Sequence, residues 1–127
     1  MEIYCCECKK VRKCNLVTGK EIYPARSELH SLYFWKCPEC GQYVGSHKNT
    51  QEPLGVIPTQ EMKKARQIIH SFMDSMWKSG KITRGKLYRL IAKELGIKIY
   101  HTGWTRSLGQ CRRVYSAVTK IKKRLGI

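Results

Sequence analysis

Two pairs of cysteines, Cys5 with Cys8 in "CCEC" and Cys37 with Cys40 in "CPEC", constrain this chain more than any other feature. A CxxC pair can be a redox couple, half of a disulfide framework or half of a metal site. A redox couple usually opens a helix within a βαβ pattern, which neither pair has around it. Reducing compartments disfavour disulfides, and seven cysteines leave one unpaired in any case. Tetrahedral zinc, in contrast, is satisfied by two such pairs. Each pair wraps one edge of the ion, and four thiolates leave no coordination position open for chemistry. The expectation is therefore one structural Zn2+ held by Cys5, Cys8, Cys37 and Cys40. Cys6 could replace Cys5, and Cys14 or His47 could replace one member of the set. Gly41, directly after Cys40, suits the tight turn of a zinc knuckle, whereas the first pair carries Lys9 at that position. The 28 residues between the pairs exceed the usual spacing, so an extended hairpin is expected there. Cys6, Cys14 and Cys111 fit no CxxC pair and read as small buried hydrophobes.

With 127 residues, the chain makes one domain or two very small ones. Turn signals at Asn15, Gly19 and Pro24 and the β-prone run "LYFW" predict short antiparallel strands, a zinc ribbon over residues 1–45. The first 58 residues, with few aliphatics, would fold weakly without a structural metal. Residues 46–58, polar and rich in Gly, Asn and Pro, read as an ordered connector. Residues 59–127 predict a basic helical region that packs with the ribbon. Thr59 caps a first helix, with Met62, Ala65, Ile69, Phe72 and Met76 at spacings of three and four, ended by Gly80. Thr83 caps a second, carrying Leu87, Leu90, Ile91 and Leu95 and stopped at Gly96. A capping box of Ser107 and Gln110 opens a third, which runs to Gly126. The fold class is α+β: an N-terminal zinc ribbon followed by a three-helix C-terminal part.

Charge divides unevenly between these regions. Residues 1–58 hold eight Lys and Arg against six Glu, a net of +2, while residues 59–127 hold seventeen against three acids, a net of +14. Such asymmetry points to a polyanion, most often nucleic acid. On the third helix the apolar residues share one arc, and Arg112, Arg113, Lys120, Lys123 and Arg124 gather opposite it. Lys122 falls within the apolar arc, where its stem could snorkel outward.

The segments "CPECGQYVGSH" and "EPLG", then a helix, "LYRLIAKELGI", "HTG" and "QCRRV", together resemble a family of small phage and prophage proteins. That family is described as a zinc-finger-containing domain, and the resemblance runs from Cys5 to about Val114. It implies Cys5, Cys8, Cys37 and Cys40 as metal ligands and marks His47, His101 and Cys111 as motif positions without an assigned role. The chain departs from the pattern at Leu90, where the family often has an aromatic, and in the basic tail after Val114.

The function expected from these features is nucleic-acid binding, DNA before RNA, mainly by phosphate contacts. The contacts would come from Arg84, Arg89, Arg106, Arg112, Arg113, Lys120, Lys123 and Arg124. "LYRLIAKELGI" has the look of the first helix of a helix-turn-helix, but the segment before the next helix is too long for that motif's turn. Tyr100 and Trp104 could stack on unpaired bases, although burial in the helical core is expected of them. The alternative is an interaction module or inhibitor that binds a host or phage protein through an acidic surface. An enzyme is not expected, because the basic half offers only Glu61, Asp74 and Glu94 as carboxylates. His47 and His101 remain as the one acid–base pair to consider. Without a signal peptide or an apolar stretch of bilayer length, the expected location is the cytoplasm of a bacterial host, away from membranes.

Overall fold

The computed structural model describes residues 1–127. The chain forms two compact units, Met1–Gln60 and Glu61–Ile127. The architecture is α+β, with antiparallel strands first and long helices after.

The first unit carries two small sheets. Strand β1 (Glu2–Cys5) pairs with β2 (Lys10–Lys13), and β3 (Asn15–Thr18), β4 (Tyr33–Lys36) and β5 (Tyr43–Gly45) form a second antiparallel sheet in that order. Alternation along β1 turns Ile3 and Cys5 inward. Its register sets Glu2 opposite Lys13 and Cys5 opposite Lys10. As the middle strand of its sheet, β4 buries consecutive residues on both faces. Phe34 meets Tyr23 and Tyr43 edge-on at ring separations of 5.9 and 5.8 Å. Trp35 joins Ile3, Cys5, Cys37, Val44 and Ile57 in the unit's core, and its indole N–H donates to the Gln51 carbonyl at 2.7 Å.

The long gap between the cysteine pairs holds more than a hairpin. A one-turn helix, α1 (Gly19–Ile22), and a 3₁₀ turn (Ser27–Leu29) fold the β3–β4 connection into a compact loop. Gly19 is required there: a Cβ on it would lie 1.7 Å from the Leu29 carbonyl oxygen.

Residues 46–58, read as a connector, are built into this unit. Their N-terminal part closes a tight turn, with the His47 N–H donating to the Glu52 carbonyl and the Thr50 N–H to that of His47. Further on, Ile57 bridges Cys5 in parallel, donating to the Tyr4 carbonyl and accepting from the Cys6 N–H, both at 2.9 Å. Ile57 is fully buried, so this end of the segment completes the core behind the first cysteine pair.

The second unit is helical: α2 (Gln60–Lys78), α3 (Arg84–Leu95) and α4 (Leu108–Leu125). The caps of α3 and α4 follow the sequence signals. Thr83 accepts from the Lys86 N–H, Ser107 accepts from the Gln110 N–H, and Gly96 and Gly126 end their helices in the left-handed region. Gln110 departs from the expected capping box, because its side-chain oxygen accepts from the Arg106 N–H at 2.7 Å and not from that of Ser107. Ile69, Met73, Met76, Leu87, Ile91, Val118 and Ile121 form the core. Residues 96–107 separate α3 from α4 and include a 3₁₀ turn (Thr102–Trp104), so no helix-turn-helix forms. No helix is long and apolar enough to cross a membrane.

Candidate metal centre and basic surface

Each cysteine pair sits in the turn of a hairpin. Cys5 closes β1 opposite Lys10, leaving residues 6–9 as the β1–β2 turn, and residues 37–42 connect β4 to β5 beyond the Lys36–Tyr43 pair. The two turns share one backbone solution. The Lys9 N–H donates to the Cys5 carbonyl at 2.8 Å, and the Gly41 N–H to the Cys37 carbonyl at 2.9 Å. Both residues lie in the left-handed region, at φ 58° for Lys9 and 78° for Gly41. Lys9 therefore adopts the conformation that glycine supplies in the second knuckle, at a cost glycine does not incur.

The turns bring the Sγ atoms of Cys5, Cys8, Cys37 and Cys40 within 4.8 Å of one another. Cys5 and Cys40 sulfurs lie 3.5 Å apart, and those of Cys8 and Cys37 3.8 Å. A tetrahedral zinc with Zn–S bonds of about 2.3 Å requires sulfurs about 3.8 Å apart. A disulfide needs about 2.0 Å, and all seven cysteines are free thiols. The alternative ligands are excluded by position. Cys6 and Cys14 are buried outside the cluster, Cys14 donating its thiol to the Arg12 carbonyl, and His47 lies in its own turn.

The surroundings act unequally on these thiols. Burial pushes the Cys37 thiol up, but amide N–H groups of Cys40 and Glu39 and the thiols of Cys40 and Cys8 outweigh it, bringing its pKa to about 7. Burial is also the largest influence on Cys40, pushed up to about 12, and on Cys5, which is raised. The amides of Glu7 and Cys8 serve Cys5 as those of Glu39 and Cys40 serve Cys37, so both knuckles aim backbone donors at sulfur. The Arg12 guanidinium lies beside the Cys8 sulfur, and this contact is the main reason its own pKa is raised. Four thiol donors at tetrahedral spacing fit structural zinc, which would tie the two hairpins together and leave no position for substrate.

The family model for a zinc-finger-containing domain matches residues 2–121, nearly the whole chain. The chain belongs to that zinc-finger-containing family. No curated protein and no solved structure matches it.

In this zinc-finger protein, the basic residues singled out from sequence all belong to the helical unit and are all exposed: Arg84, Arg89, Arg106, Arg112, Arg113, Lys120, Lys123 and Arg124. They are not equivalent. Arg84 lies over the rings of Trp77 and Tyr88, at 5.6 and 5.3 Å from their centroids. Arg124 and Lys120 both pair with Glu94, whose carboxyl the Arg124 hydrogen bond holds below its ordinary range. Lys122 brings its ammonium over the Phe72 ring at 5.1 Å.

The motif positions of unassigned role take different places. His47 shapes a turn through its backbone, and His101 is exposed, its ring 6.4 Å from that of Trp104. Cys111 is buried and donates its thiol to Thr105 Oγ1 at 3.6 Å. That contact belongs to a network that joins Thr102 of HTG and Cys111 of QCRRV through Thr105. Arg66 donates to both Thr105 Oγ1 (3.1 Å) and the Thr105 carbonyl (2.6 Å), and the Thr105 hydroxyl donates to the Thr102 carbonyl. Tyr100 is buried against Thr102 at 2.6 Å between hydroxyls, and burial pushes its pKa up to about 12. Trp104 departs from the burial expected of it. It remains 65% exposed, because the ordered turn that buries Tyr100 carries the indole outward.

Proposed function

We propose that this zinc-finger protein binds nucleic acid, DNA in the first instance, through phosphate contacts made by its helical unit and without catalysis. The observation that carries this reading is the partition of charge along the structural boundary. Unit Glu61–Ile127 holds the full +14, while Met1–Gln60 holds +2. A zinc tetrathiolate carries −2, so metal binding neutralises the first unit and leaves the entire excess on the helices. Arg112, Arg113 and Lys123 lie on the polar arc of α4 with no acid on that helix to oppose them. The four-thiolate centre serves stability, and the three carboxylates of the helical unit do not gather into a metal-binding group. Seven free thiols suit a reducing compartment such as the bacterial cytoplasm.

Fluorescence anisotropy with duplex DNA, single-stranded DNA and RNA across a salt series tests the proposal. Affinity should fall steeply as salt rises, with a log–log slope of about −0.9 for each duplex phosphate neutralised. Absence of binding to all three polymers at low salt would refute it. A second reading, a protein-interaction module, is favoured by a shallow apolar cleft between α2 and α4. There Ile68 is 58% and Tyr115 44% exposed, beside Arg112. That reading requires a partner with an acidic, partly apolar surface and binding that persists at high salt.

A further inference from the structure

We propose that the cleft around Trp104 is a stacking site for an unpaired nucleobase, so that the protein prefers single strands to duplex. This inference rests on the nucleic-acid reading and adds the class of strand. The cleft encloses about 290 Å3, and Ile97, Ile99, His101, Trp104, Gln110 and Arg113 are among its lining residues. That volume lies near the lower end of small-molecule pockets and suits one planar heterocycle.

Three features separate this site from a chance surface patch. Ile99 is 72% and Trp104 65% exposed, although Tyr100, Thr102 and Thr105 of the same turn are buried. The turn is fixed from behind. Thr105 Oγ1 accepts from Arg66 and Cys111 and donates to the Thr102 carbonyl, while Thr102 meets the Tyr100 hydroxyl. A fixed turn holds the indole in water, and an apolar π-face presented without freedom to collapse is a preorganised binding surface. The chemistry of the rim identifies the occupant. Arg113 lines the cleft and Arg106 is exposed on the same loop, so the surroundings suit an anionic backbone. His101, tilted 40° to the indole, adds a second aromatic edge. An aromatic face with an arginine in its lining and a second on its loop matches a base attached to its phosphates better than an uncharged apolar side chain. Bases within a duplex are already stacked and do not offer a free face, hence the preference for single strands.

The test compares a labelled oligothymidine, an abasic strand of equal length and charge, and a duplex, each with the wild type, Trp104→Ala and Trp104→Phe. Wild-type protein should bind the base-bearing strand about 5- to 150-fold more tightly than the abasic one, the range that about 1–3 kcal/mol per stacked base gives. Trp104→Ala should erase that preference, Trp104→Phe should keep most of it, and neither should change duplex affinity. Equal wild-type affinity for base-bearing and abasic strands overturns the stacking site but leaves phosphate binding standing. A preference that survives in Trp104→Ala also overturns it. Parallel weakening of all three polymers in Trp104→Ala, with a lowered melting temperature, would make the indole purely structural and likewise overturn it. No binding of any polymer by wild type at low salt rejects the nucleic-acid reading itself and leaves the cleft to a protein partner.

Discussion

Lys9 and Gly41 occupy the same place in the two knuckles, both at positive φ, yet only one is glycine. A left-handed residue with a Cβ costs about 1–2 kcal/mol, partly offset because glycine loses more entropy on folding. Lys9→Gly should therefore stabilise the zinc-loaded protein by about 0.5–1 kcal/mol, and Gly41→Ala should destabilise it by about the same. Nothing but the Lys36 side chain, at 4.0 Å, approaches a Cβ built on Gly41, so the cost is conformational and not steric. Urea denaturation of both variants checks the pair; equal and negligible effects would show that the knuckle tolerates either hand. Arg12 gives a second residue-scale prediction. Its guanidinium is the cation beside the Cys8 sulfur, offsetting the negative charge of a tetrathiolate. Arg12→Met should weaken zinc affinity about 10- to 100-fold, as removing the partner of a metal ligand typically does. Competition with a chromogenic chelator measures this, and unchanged affinity would reduce Arg12 to a strand residue. Cys111→Ser should leave zinc content at its wild-type value, since its thiol is buried in the helical unit.

At the level of elements, the clearest sequence signals are those in which one residue type has one physical use. Two CxxC pairs place two turns, Thr83 and Ser107 start helices, and Gly96 and Gly126 stop them, because each involves a short-range bond that a sequence displays. What could not be read depends on residues far apart in the chain. The β3–β4 loop closes through Gly19 against Leu29, and no local pattern announces a backbone approach ten positions away. Ile57 belongs by composition to a polar connector but bridges Cys5, an arrangement that only the folded ribbon creates. Hydrophobicity argues for burying Trp104, yet the Arg66–Thr105 bond that holds its turn links residues 39 positions apart. Two predictions belong here. Gly19→Ala should cost about 4 kcal/mol or more, because the clash is with backbone that cannot rotate away. Circular dichroism and zinc content would show it as a ribbon that fails to hold metal, and near-wild-type stability would contradict the close approach. Ser107→Ala should cost about 1 kcal/mol by removing the α4 cap, measured as a lower melting temperature with zinc binding unchanged.

For the whole molecule, the division that separates folding determinants also separates charge, and the two can be perturbed independently. Protons compete with zinc for thiolates, so metal should be released as pH falls and retained as it rises. Hydrogen exchange after chelation should show diminished amide protection in Met1–Gln60 and retained protection in Glu61–Ile127, which has its own core. Nucleic-acid binding should respond to the other unit. Lys120 and Arg124 already share Glu94, so part of their charge is answered within the protein. Arg112, Arg113 and Lys123 have no such acid and are exposed on the polar arc of α4. Replacing those three with Ala should flatten the log–log salt slope by about 2.7, at about 0.9 for each duplex phosphate no longer neutralised. Replacing Lys120 and Arg124 should flatten it by less than their number suggests, because their removal also exposes the Glu94 carboxylate. Lys9, Lys10 and Lys20, in a unit that zinc brings to neutrality, should change the slope little. Anisotropy titrations of the three sets across salt decide among these outcomes. Equal flattening by all three would place the binding surface over the whole protein, and flattening by the last set alone would move it to the zinc ribbon.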